Sequence, residues 1–246
     1  MSEAKSTKFS FISEGLTLVG NLVVPENAKP TGVLFLHGGG VGSKERYGEL
    51  QAILEENSYP SFSFDFRGVG ESKGVYEEST LNKRLTDAVS AYDFFNQHVD
   101  SIVVVGTSMG AHVAVMLSVR RQTSGLILLY GAAYAKEADD KPFNKELTKI
   151  LRKKDSWKSS SVFPILKQTL QPVLVTYGKS DTVVPKEIQQ AYKEVLKPTD
   201  TFIELPHASH IILNATNKEE ELEKQKVFQK IMEFLDTMSG TSKLIS

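Results

Sequence analysis

Eight short runs rich in β-branched and aromatic residues punctuate this chain, and most of them are apolar at nearly every position. A run of that kind has no polar face to offer to water, so it reads as a strand covered on both sides. Six fit the description: Gly32–His37, Ser61–Phe66, Ser101–Gly106, Gly125–Tyr130, Pro172–Gly178 and Thr201–Leu205. Two more, Lys8–Ser13 and Leu16–Val24, face each other across Glu14-Gly15 and read as an opening antiparallel pair. Helical spacing marks Glu45–Glu56, Leu81–Gln97, Met109–Arg121, Lys186–Leu196 and Lys218–Met238; Leu81, Leu85, Ala88, Val89, Tyr92 and Phe95 form one apolar stripe. Strand and helix in alternation, with right-handed crossovers, predict an α/β fold: a mostly parallel eight-stranded sheet with helices on both faces.

The pattern fills residues 1–246 as one domain, with no repeat and no low-complexity linker. Only Ala132–Gln171 breaks it, being too long for an ordinary connection between strands. It carries Tyr134, Phe143, Trp157, Phe163 and Ile165 among many charges. A surface insertion and a small cap over a site both fit it.

Charge and composition exclude several classes. With 29 basic against 30 acidic side chains the net charge is -1, which offers no pull toward nucleic acid or an anionic membrane. The absence of cysteine excludes disulfides, thiolate metal sites and a cysteine nucleophile, and fits a reducing compartment. The polar start M-S-E-A-K-S-T-K lacks a secretory core, and the longest apolar runs are strand-sized, so a cytoplasmic protein with no membrane segment is expected. Nothing in the sequence speaks to oligomeric state.

Gly106-Thr107-Ser108-Met109-Gly110 matches G-x-S-x-G, a weak signal as a bare pentapeptide. Its setting strengthens it, because I-V-V-V precedes it and a helix-like A-H-V-A-V-M-L follows. A serine on a sharp strand–turn–helix bend has its hydroxyl held clear of the sheet. That hydroxyl is a poor nucleophile until a base removes its proton. Of five histidines, His37 at a strand end, His98 on a polar helix end and His112 on the helix after the bend are poorly placed to meet the serine from the loop side, leaving His207 and His210 in L-P-H-A-S-H. His210, on the loop before the last helix, is the preferred base; His207, beside Pro206, reads as structural. A metal site on His207-x-x-His210 lacks the helix and the glutamate of H-E-x-x-H, so no metal is expected. Asp181 in Y-G-K-S-D-T-V-V-P either orients the histidine or caps the next helix.

Leu36-His37-Gly38-Gly39-Gly40 bares backbone N–H groups beside the first parallel strand, where they can meet an oxyanion. The rival is a dinucleotide loop with Asp65 on a ribose, but position 43 is Ser where G-x-G-x-x-G needs Gly. A P-loop fails as well, because Lys44 follows Ser43.

With these residues together, the chain resembles the α/β-hydrolase superfamily, most of all small carboxylesterases of the feruloyl/cinnamoyl-esterase and serine-aminopeptidase-like branch. The carriers are L-H-G-G-G-V-G-S-K-E, S-F-D-F-R-G-V-G-E-S-K-G, G-T-S-M-G-A, G-K-S-D and H-A-S-H, in that order. The resemblance implies a catalytic triad of Ser108, Asp181 and His210, an oxyanion hole from the Gly39 and Met109 N–H groups, and a structural role for Asp65, Arg67 and Gly68. It implies hydrolysis of carboxylic esters through an acyl-enzyme, without cofactor, while Ala132–Gln171 read as a small cap narrows the expected substrates to small soluble or aryl esters, with Tyr134 and Trp157 on the substrate. Thioesters and peptides fit the same machinery, and a non-catalytic small-molecule receptor fits the same fold. Two departures bear on specificity: Thr107 stands where His is frequent, and Ala111 where Gly is common.

Overall fold

The computed structural model describes residues 6–40, 42–210 and 212–240. Its centre is an eight-stranded sheet in the order β1-β2-β4-β3-β5-β6-β7-β8. The strands are β1 Thr7–Ser13, β2 Leu16–Val23, β3 Thr31–Leu36, β4 Ser61–Phe64, β5 Ser101–Thr107, β6 Gly125–Leu129, β7 Val173–Gly178 and β8 Thr201–Leu205. β1 pairs antiparallel with β2 and β2 with β4, while all later pairings are parallel. The hairpin turns at Glu14 and Gly15, both with positive φ (45° and 78°), as a two-residue turn demands. Val103, Val104, Val105, Leu126, Ile127 and Leu128 in the central strands are fully buried, which accounts for their unbroken apolarity.

Among the described residues seven α-helices surround the sheet: α1 Gly48–Glu56, α2 Leu81–Phe95, α3 Met109–Leu117, α4 Lys145–Leu151, α5 Val162–Gln168, α6 Lys186–Val195 and α7 Lys218–Gly240. Thr80 caps α2, its hydroxyl accepting from the Lys83 N–H at 3.1 Å. Two helix boundaries differ from the periodicity by three residues or more. The stretch expected to be helical from Glu45 opens as a 3-10 turn, Lys44–Tyr47, because Lys44 is drawn inward by Asp65. α3 stops at Leu117, where the Ser118 hydroxyl bonds back to the Val115 carbonyl.

Residues 132–171 divide into two parts. Ala135, Ala138, Phe143, Leu147 and Ile150 form a small second core with Leu81 and Met109, so this part rests directly on the start of α3. α5 instead belongs to the main helix layer, with Val162 and Leu166 buried against α3 and α6. Among the described residues no helix is long and apolar enough to cross a membrane.

Candidate active site

The bend at Ser108 is made by steric necessity. Ser108 has φ 53° and ψ -115°, a conformation that costs an L-residue on the order of 1–3 kcal/mol. A Cβ on Gly106 would lie 2.5 Å from Ala111 Cα, and one on Gly110 would lie 2.0 Å from the Leu36 carbonyl oxygen. Both glycines are therefore demanded by close backbone approach. The Ser108 N–H bonds to the Leu129 carbonyl at 3.0 Å, locking the bend to β6. Thr107 is buried and shares a 2.9 Å hydrogen bond with the Tyr47 hydroxyl, so it braces the bend from below.

Two loops carry the partners. Gly178 closes β7 against Ala208, where a Cβ would fall 2.0 Å from the Ala208 oxygen, and the Ser180 N–H donates to that same oxygen at 3.1 Å. The loop after β8 is thereby fastened onto the loop after β7, and His210 comes to lie over Asp181. His210 Nδ1 is 3.0 Å from Asp181 Oδ2, and His210 Nε2 is 3.1 Å from Ser108 Oγ. With Nδ1–H donated to the carboxylate, the Nε2 lone pair is left to accept the serine proton.

Asp181 meets His210 and braces its own loop, but it does not cap α6, whose N-cap position is Pro185 without a side-chain hydrogen bond. Asp181 Oδ1 accepts from the Val183 and Val184 N–H groups at 2.8 and 3.1 Å, while Oδ2 takes His210. Burial pushes its pKa up, but the hydrogen bonds from His210 and these two amides outweigh it and hold the carboxyl below its ordinary value. His207 turns away: its ring is largely exposed, 3.9 Å from Glu219.

The glycine loop packs against this bend. A Cβ on Gly38 would lie 3.3 Å from Ser108 Cβ, and one on Gly39 would lie 3.0 Å from Met109 Cε. Met109 opens α3, so its N–H has no intrahelical acceptor. The Gly39 N–H likewise has none among the described residues. Asp65 is fully engaged, accepting from the Lys44 N–H and Nζ and from the Glu71 N–H, which leaves no oxygen for a ribose. Arg67 pairs with buried Asp87 through Nε and Nη2, and a Cβ on Gly68 (φ 71°) would fall 2.2 Å from the Tyr76 nitrogen. All three tie the loop after β4 beside the site.

Ser108 opens into a cleft of about 470 Å³ walled by Ala133, Tyr134, Trp157, Val183, Pro185 and Ile188. Tyr134 and Trp157 thus both face it, with Arg152, Lys153 and Lys154 at the edge.

Several residues at the site escape a reading from sequence. Tyr130, with φ 42°, lays its ring against His210 at 5.0 Å. Its hydroxyl is buried without a hydrogen-bond partner among the described residues, and burial raises its pKa far above the phenol range. The Tyr76 hydroxyl accepts from the Gly40 N–H at 2.9 Å. Arg84 lies wholly buried behind the glycine loop. Arg84 left a signal, an arginine set between Leu81, Leu85 and Ala88 on an apolar helix face; Tyr130 and Tyr76 left none.

A mostly parallel eight-stranded sheet with a strained serine after β5 defines an α/β hydrolase. The profile of the family described as serine aminopeptidase, S33, matches residues 28–162, more than half of the chain, and the chain belongs to that family. Among curated relatives, a protein of Cyberlindnera fabianii named a probable alcohol acetyltransferase is 34% identical over 132 residues, 51% of this chain and 34% of its own length. The uncharacterised protein YfhR of Escherichia coli O157:H7 is 28% identical over 195 residues, 76% of this chain and 64% of its own. The chain spans about a third of the length of the first curated relatives it matches. Among solved structures, Est1E of Butyrivibrio proteoclasticus with ferulic acid bound aligns at a TM-score of 0.73 and 21% identity, over 93% of this chain and 99% of that one. A butyrate-bound thermophilic esterase, Est2 of Thermogutta terrifontis, aligns at 0.73 and 20% identity over 95% and 94%. At these identities the structural likeness speaks for the fold.

Proposed function

We propose that this protein is a serine hydrolase that cleaves carboxylic esters of small soluble or aryl substrates through an acyl-enzyme. The observation carrying the proposal is the continuous hydrogen-bonded chain from Ser108 Oγ through His210 to Asp181, standing at the mouth of a largely apolar cleft. In this reading His210 takes the Ser108 proton as Oγ attacks the ester carbonyl. Asp181 holds the tautomer and stabilises the imidazolium, and the Gly39 and Met109 N–H groups receive the oxyanion. His210 then protonates the departing alcohol and activates water against the acyl-enzyme. The part of residues 132–171 that precedes α5 caps the cleft, with Tyr134 and Trp157 against the substrate.

The relative named as an alcohol acetyltransferase adds a second fate for the same intermediate, capture by an alcohol instead of water. Both fates are read in one experiment. With a 4-nitrophenyl ester under pre-steady-state conditions, a burst of nitrophenol equal to the enzyme concentration is expected, followed by slower turnover. Added alcohol should divert product from acid to a new ester without changing the burst. No turnover of any ester, with ligand binding retained, would make the protein a receptor on a hydrolase fold.

A further inference from the structure

Resting on the reading above, we propose that Arg84 is a positioning residue for the oxyanion hole, acting through the Gly38–Gly39 peptide. The Gly38 carbonyl and the Gly39 N–H belong to one peptide unit. Arg84 Nη1 donates to the Gly38 oxygen at 3.0 Å, and to the His37 oxygen at a longer 3.4 Å. The same Gly38 oxygen lies 2.7 Å from His37 Nδ1. His37 Nε2 accepts from the Phe66 N–H at 3.1 Å, so Nδ1 carries the proton and donates. Burial and the nearby Arg84 charge hold the His37 pKa well below its ordinary value, which keeps that tautomer neutral. One carbonyl thus receives two hydrogen bonds, one of them from a cation.

Two consequences follow for the N–H on the other side of the peptide. Withdrawing electrons onto the carbonyl oxygen increases the positive charge on the N–H, so Gly39 becomes a stronger donor when an oxyanion forms. Three successive glycines also leave this peptide free to rotate, and a flip would aim a carbonyl at the reacting atoms. The bonds to Gly38 from Arg84 and His37 hold one face, and Tyr76 holds the next peptide through the Gly40 N–H.

The surroundings of Arg84 separate this role from an ordinary ion pair. Its side chain is 0% exposed, and neither Nε nor Nη2 has a hydrogen-bond partner among the described residues. The nearest acid on its own helix, Asp87, is spent on Arg67 and Ser13. Rings surround the guanidinium instead: Phe66 at 4.6 Å, Phe143 at 5.2 Å and Tyr76 at 5.9 Å. Burial lowers its pKa to about 10, which leaves it cationic at neutral pH. A buried cation without a carboxylate costs folding free energy. An anion that forms transiently on the far side of one peptide supplies the missing counter-charge.

The test uses Arg84→Met and Arg84→Lys in the full chain, with circular dichroism to verify folding. For Arg84→Met, kcat on an aryl ester should fall by about 10- to 100-fold with KM within about twofold, less than loss of a whole oxyanion donor. The affinity for an aryl trifluoromethyl ketone, to which Ser108 Oγ adds to give an oxyanion, should fall by the same factor. Arg84→Lys, which keeps a buried cation able to reach Gly38, should recover most of both. Unchanged kcat in folded Arg84→Met, or a loss carried by KM alone, would overturn the proposal. Should both variants unfold, ¹⁵N-labelled wild type decides: the Arg84 Nη resonances should shift when the ketone adduct forms, and resonances that ignore it would overturn the proposal. Failure of the hydrolase reading looks different, because wild type would then neither turn over the ester nor bind the ketone.

Discussion

The bend at Ser108 and the segment over it, residues 132–171, are built by opposite rules. At the bend, backbone meets backbone: the missing Cβ atoms of Gly106, Gly110 and Gly178 would each lie within 2.5 Å of main-chain atoms. Over it, α4 is only seven residues long, and the edge of the cleft is made of exposed Arg152, Lys153 and Lys154. The first region has almost no freedom to vary, whereas the exposed edge of the second can change its side chains without disturbing either core. Under the proposed function, the reaction would belong to the rigid bend and the choice of substrate to the covering.

The largest expected contrast is catalytic. His210→Ala and Asp181→Asn should each lower ester kcat by about 10⁴-fold, the asparagine by presenting the wrong histidine tautomer. His207→Ala, with its exposed ring, should keep kcat within about twofold of wild type. Parallel kinetics on the three variants check this, and an exchange of the two histidine phenotypes would break the assignment.

Next in size is stability. Gly110→Ala drives a methyl into the Leu36 carbonyl, and denaturant melts should show a loss of about 3 kcal/mol or more, or no folded protein. Lys153→Ala on the covering removes an exposed ion pair to Glu137 and should change stability by less than about 0.5 kcal/mol. Equal losses would erase the distinction between the regions.

The seam between them should respond to acid. His112 on α3 is buried, and its Nδ1 accepts from the Tyr134 N–H at 3.3 Å. Burial lowers its pKa from 6.5 to about 4. Between those values the unfolded chain binds the proton and the folded one does not, so stability falls as pH drops from about 6.5 toward 4. The full span corresponds to about 3 kcal/mol. Wild-type Tm should fall as pH drops over that range, and the Tm of His112→Gln should fall less.

The smallest effect concerns selectivity. Trp157→Ala enlarges the cleft wall and should raise KM for an aryl ester about 3- to 10-fold while kcat stays within about twofold, an effect of about 1 kcal/mol. The polar, narrow covering also predicts no jump in rate when a long-chain triglyceride forms an emulsion. Hydrolysis measured across acyl lengths and solubility limits checks that.

The division explains what was readable in the sequence. Buried strands announce themselves by unbroken apolarity, and Ser108, Asp181 and His210 each follow a strand or precede a helix, so order along the chain locates them. Gly39 and Met109 were reached only through resemblance to a family. Lys44 and Tyr130 are not legible, because their surroundings arise from partners that only folding brings near, and for Arg84 the apolar helix face signals burial but not its partners. Lys44 is an ordinary charged residue until Asp65, 21 positions on, draws it inside. The local 3-10 start of that helix follows from the same pairing. The fate of residues 132–171 was also closed to sequence reasoning, since short helices and dispersed aromatics fit a lid and a scaffold equally well.

The central claim, that Ser108 is the nucleophile of a covalent hydrolase, is tested most directly by labelling with a fluorophosphonate and mapping the adduct by peptide mass spectrometry. One equivalent should attach to Ser108, with loss of esterase activity in proportion, and Ser108→Ala should take up none. Attachment at another serine, or full activity in a quantitatively labelled enzyme, would contradict the account.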